Sequence, residues 1–277
     1  MRLPHELAWV KIRRVEASQV RRARRSHDFD LTAGQAQTAP AGLHCHVSAA
    51  SPEGRGHGDE ADRSAPLFKG CGVALVAAGV LMAAATLLHP SRETATTIIA
   101  SEGRLVAAHM LYTLSWLLVL LGLPGLYVAE RGTMRRLGLV GFLVAFSGTY
   151  LIAVTGNFGF LAPVLARQSP AVLDSITEYP PAVGINGLAA IAFMLGYALF
   201  GVAMTRMSTL PRLAGVLVAV GAPAHLLGFG MAQLVSTVLW PVAVLGAVSL
   251  GAGLAWPGFR LSQTGAAADR PSLPPSG

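Results

Sequence analysis

Charge is scarce in this chain. Only 13% of its 277 residues are Asp, Glu, Lys or Arg, while 53% are hydrophobic and the mean hydropathy is +0.53. Soluble domains carry about twice that charge, so an ordinary water-solvated globule is excluded first. Cysteine is nearly absent as well. Cys45 and Cys71 stand alone, one in a polar segment and one at a helix start, which excludes a disulfide framework. There is no P-loop, no Rossmann glycine fingerprint, no GxSxG and no HExxH, so the common nucleotide, hydrolase and zinc-protease motifs are missing. Ser115 and Ser147 have no neighbouring His/Asp arrangement to make them nucleophiles. Acidic and basic residues are missing from the interiors of the longest apolar runs, which argues against a membrane transporter coupled through a buried charge.

What is present is apolar length. From Leu105 to Ala129 the only titratable side chains are His109, Tyr112 and Tyr127. As a helix this run is about 37 Å long, enough to cross a hydrocarbon core of about 30 Å with some tilt. Five other runs read the same way. The predicted spans are 68–88, 105–129, 137–156, 183–205, 213–231 and 234–256. The expected fold is therefore all-α: a transmembrane bundle of six helices over residues 67–257. It is preceded by a polar, mostly disordered region (1–66) and followed by a short disordered tail (258–277). Trp256-Pro257-Gly258 is expected to close the last helix.

Six spans place both termini on one side. Ten basic residues flank the spans there: Arg55, Arg63, Lys69, Arg131, Arg135, Arg136, Arg206, Arg212, Arg260 and Arg270. Only Arg92, Arg104 and Arg167 lie opposite, so the termini are expected in the cytoplasm of a cell-membrane protein. The formal net charge of +7 is explained by this anchoring. The expected partner is the lipid bilayer, not nucleic acid. The run around Arg21, Arg22, Arg24 and Arg25 reads as a solvated charge cluster, and His44, Cys45 and His46 lack zinc-ligand spacing. On the outer side, Ser169-Pro170 opens a short predicted helix ended by Tyr179-Pro180-Pro181.

Placed on this topology, the strongest polar groups collect in the outer half of the bundle: His89, His109, Asn157, Asn186, His225 and Gln233. Three readings stand. These groups hydrogen-bond across helices and fix the bundle. Or they line an outward-facing polar cavity for a small solute or proton, as in a transporter or sensor. Or His109 and His225, with His89, ligate a haem or a metal. No catalytic residue, metal ligand or cofactor is assigned by motif. His109 and His225 are expected to point into the bundle, since an imidazole among acyl chains has no partner for its N–H.

Leu87-Leu88-His89-Pro90, Gly125-Leu126-Tyr127, Leu195-Gly196-Tyr197, Phe200-Gly201-Val202-Ala203 and Leu210-Pro211-Arg212-Leu213-Ala214-Gly215 together resemble a type of small protein. These are the uncharacterised multi-pass integral membrane proteins common in high-GC Gram-positive bacteria. The resemblance covers about 67–256. It implies a bacterial plasma membrane and carries over no activity or catalytic residue.

Overall fold

A computed structural model describes residues 56–207 and 211–268, with side chains from 65 to 263 apart from those of Asp174 and Thr177. The predicted disordered stretch before residue 56, with its arginine cluster and His44, Cys45 and His46, lies outside the described residues. Among the described residues the chain is all-helical and has no strand. In chain order the helices are α1 Gly56–Leu88, α2 Ala95–Ala100, α3 Glu102–Gly156, α4 Ala162–Gln168, α5 Pro170–Glu178, α6 Pro180–Met204, α7 Arg212–Leu234 and α8 Trp240–Ala268. Short 3-10 turns at Asn157–Phe160 and Thr237–Leu239 complete it.

Five of these helices, α1, α3, α6, α7 and α8, are long and apolar enough to cross a membrane, as a multi-pass membrane protein requires. Where the sequence predicts two helices, 105–129 and 137–156, α3 has two helical arms that meet at a kink, with non-helical backbone angles at Arg135 (φ 52°, ψ −154°). The chain folds back there. Tyr127 stacks on Phe142 at 4.7 Å, and Thr113 Oγ1 donates to Asn157 Oδ1 at 3.1 Å. Both pairs are centred on residue 135. Forty-four residues of straight helix would hold Thr113 and Asn157 about 66 Å apart.

The helices close a ring: α1 packs on α3 and α8, α8 on α7, α7 on α6, and α6 on α3. Glycines set how closely they approach. A Cβ on Gly79 would overlap the Gly251 carbonyl, and one on Gly72 would overlap the Gly258 carbonyl. On the α3/α6 seam Gly141 lies against Phe200 and Gly148 against Phe193. On the α7/α8 seam Gly221 lies against Leu250 and Gly228 against Ala243. Each seam is antiparallel, and its glycines are seven residues apart. That spacing returns a helix to nearly the same face, so both glycines meet the same neighbour. Without a hydrophobic drive between helices in lipid, such close packing is what joins them. Ala243, Ala247 and Gly251, small residues at four-residue spacing on α8, are buried.

The ends differ from expectation in three places. α1 begins at Gly56, ahead of the predicted 67–68 boundary. α8 passes through Pro257 and reaches Ala268, so the first part of the predicted tail (258–277) is helical, and 269–277 lie outside the described residues. Proline removes one helical hydrogen bond. Here Gly258 sits against Gly72 and Leu75, and Leu261 is buried, so packing on α1 carries the helix past it. α5 starts on Pro170 as predicted, but the Ser169 side chain makes no capping bond.

Candidate functional site

At one end of the bundle α2, α4 and α5 form a small cap over the ring. Its own apolar cluster is Ile98, Ala162, Ala166 and Leu173 against Leu105 of α3. Arg167 pairs with Glu102 at its edge. Beneath the cap lies a cavity of about 450 Å³.

The site is built up from α1. That helix ends at Leu88, and the next six residues are not helical. Pro90 cannot donate to a helical carbonyl, and the bend turns His89 inward. His89 is 1% exposed. Its ring lies on Trp240 at 5.9 Å and 29°, and meets Phe229 edge-on at 5.0 Å and His109 at 5.3 Å. Nδ1 is 2.8 Å from the Pro90 carbonyl oxygen. A carbonyl only accepts, so Nδ1 carries the hydrogen.

The same bend carries Glu93 back over His89. Its Oε1 is 3.0 Å from His89 Nε2, and its backbone N–H donates to Gln233 Oε1 at 2.8 Å. The Glu93 side chain keeps 31% exposure. Burial pushes its carboxyl up. Contact with His89 and the positive charges of the His89 and His109 rings outweigh that, and the net result lies below the ordinary glutamate value.

His109 enters from α3. The Gly156 backbone engages its ring, and Gly159 lies so close to the Nε2 edge that any side chain there would strike it. Two side-chain atoms in this neighbourhood, His109 Nε2 and Gln233 Nε2, are buried with no polar partner, and His89 Nε2 has only the Glu93 carboxylate. Buried polar groups are normally satisfied, so this cluster needs a reason.

Tyr112, one turn on from His109, stands at the centre. Its ring is 6.5 Å from His109, 6.1 Å from His225 and 5.9 Å from Trp116, on which it stacks. Its hydroxyl is 2.7 Å from Thr86 Oγ1. Thr86 already donates to the Met82 carbonyl, so Tyr112 is the donor in this pair.

The predicted polar residues therefore divide. His89, His109, Asn186 and His225 line one cavity, and Gln233 braces Glu93 beside it. His225 is 2% exposed and directs Nδ1 at the Ala243 carbonyl at 3.0 Å, across the α7/α8 seam. Asn157 is not among the lining residues and serves Thr113 instead. His109 and His225 do share a cavity, with the Tyr112 ring against both. Sequence reasoning missed Glu93. It counts as one more acid in an outer loop, although its spacing of four from His89 across a proline was a signal that the two could meet. No family model, curated protein or solved structure matches the chain.

Proposed function

We propose that this is a six-span integral membrane protein with both termini in the cytoplasm, which takes a small, largely apolar molecule into a cavity at its outer end. Each arm of α3 then counts as one span, since 102–134 and 136–156 are each long enough to cross. Arg131, Arg135, Arg136, Arg206 and Arg212 fall at the opposite end of the bundle from the cavity, as the positive-inside rule asks of a cytoplasmic face. The bacterial membrane-protein type noted above is consistent with this reading.

The observation that carries it is the cavity itself. About 450 Å³ is the size of a small-molecule site. Its walls are largely apolar and aromatic, with Trp116, Phe158 and Phe229 among them, and three of its polar groups, His89, Glu93 and His109, converge at one place.

The test uses the detergent-purified full chain and a short brominated alcohol as an apolar quencher. Trp116 is 4% exposed and lines the cavity, so its fluorescence should be quenched saturably, and the saturable part should vanish in Trp116→Phe. Ala190→Phe, which fills the lining, should abolish saturation while the protein stays folded. Quenching that is linear in wild type, or unchanged by Ala190→Phe, overturns the reading.

A further inference from the structure

We propose that His89, Glu93 and His109 form a divalent transition-metal site of two imidazoles and one carboxylate, with its open position facing the cavity. The three ligand atoms all lie within 4.8 Å of one another, and the closest pair, His89 Nε2 and Glu93 Oε1, is at 3.0 Å. Zinc bonds to nitrogen and oxygen of about 2.1 Å at tetrahedral angles separate the ligands by about 3.4 Å, inside that range. Only small side-chain rotations are needed to seat an ion.

Tautomers and orphaned atoms make the case. His89 Nδ1 gives its hydrogen to the Pro90 carbonyl, so the neutral ring presents a bare lone pair at Nε2. That lone pair faces a carboxylate oxygen, which repels it unless a positive charge lies between them. A proton on Nε2 would supply the charge. That proton would pair with the Glu93 carboxylate at 3.0 Å, but it would leave His109 Nε2 buried and unpartnered. One metal ion satisfies both nitrogens and the carboxylate together.

The surroundings are those of a metal centre. The other nitrogen of a ligating imidazole is normally held by a carbonyl or carboxylate, and Pro90 does this for His89. The Gly156 backbone engages the His109 ring. Gln233 fixes Glu93 through its backbone N–H. Three protein ligands leave a fourth position for water or substrate, as in catalytic rather than structural zinc sites. Imidazole and carboxylate ligands suit zinc, iron or manganese and do not favour copper(I), which selects thiolate and thioether. His225 takes no part, since its atoms are not in the group and its Nδ1 is committed to Ala243.

The ion does not depend on the organic ligand of the preceding section; only the role of its open position does. Purified full-length protein, stripped with chelator and titrated with cobalt(II), should take up one equivalent and develop the intense visible bands of low-coordinate cobalt. Glu93→Gln and His109→Gln should weaken uptake by 100-fold or more. Gln233→Ala should weaken it by about 10-fold, as outer-shell changes do. Tyr197→Phe, away from the cavity on the α3/α6 seam, should leave it unchanged, and circular dichroism should show every variant helical. Azide should then shift the bands by taking the open position. Absence of cobalt bands in wild type, or their survival in both Gln variants, overturns the site. Bands that azide does not move overturn the open position alone. A normal cobalt result with no saturable quenching by the brominated alcohol would reject the cavity reading and leave the metal site standing.

Discussion

The contact between α1 and α8 changes character along its length. Towards one end Gly72 meets Gly258 and Gly79 meets Gly251, backbone on backbone. At the other end, in nearly the same antiparallel register, His89 lies flat on Trp240 with ring centres 5.9 Å apart. One end is closed as tightly as two helices can be. At the other, large rings sit where the glycines were, and the cavity lies among them. The lesson is that the cavity is made by side-chain size along a fixed pair of axes, with no extra domain required.

The largest effect that would break this contrast is at the closed end. Gly79→Val puts branched carbons into the Gly251 backbone, and α1 and α8 must separate. We expect a loss of at least about 1–3 kcal/mol, read by detergent unfolding of the purified protein. Gly230, which lines the cavity, has nothing within 4 Å of the place a Cβ would take, so Gly230→Ala should sit at the opposite extreme.

A second comparison holds the chemistry constant. Tyr112 donates to Thr86 beside the cavity, and Tyr197 meets Thr149 at 2.9 Å inside the buried α3/α6 seam. In both pairs the threonine has already donated to the carbonyl four residues back. Tyr112→Phe and Tyr197→Phe should each cost about 1 kcal/mol in the same unfolding assay. Only Tyr112→Phe should also change the quenching of Trp116, on whose ring Tyr112 stacks. Equal effects of the two on quenching would erase the distinction between the ends.

A smaller effect is expected from acid. The Glu93 carboxyl is held below its ordinary value, so its stabilising contribution is complete above the unfolded value of about 4.3 and is lost as pH falls through the lowered one. Below about pH 4 the wild type should therefore lose more thermal stability than Glu93→Gln does. Smallest of all is Gly230→Ala, expected within about 0.5 kcal/mol of wild type.

Much of this was legible in the sequence because lipid imposes a simple rule: long runs without charge become helices. The long helices follow from it, the Pro170 start from proline's preference for the first helical turn, and the inward histidines from an imidazole's need for a partner away from lipid. Glu93 did not, because hydropathy places a residue by its neighbours along the chain, and Glu93 is placed by a bend that returns it to His89. Nor did the extension beyond Pro257. A local breaker reads as a stop, while Leu261 and Gly258 pack against distant parts of α1 and α3. The glycine seams were present as spacings of seven but had no visible partner until the register was known.

The cap has a consequence of its own. Ile98, Ala162, Ala166 and Leu173 bury against one another and against Leu105, separately from the large cluster that holds the ring. Five side chains are a small share of the molecule's buried apolar surface. The cap therefore has its own opening free energy, well below that of the whole protein. Amide protons of 95–100 and 162–178 should exchange with heavy water far ahead of those in the buried parts of α6 and α8, and the rate at which they do so measures how often the chamber beneath is uncovered.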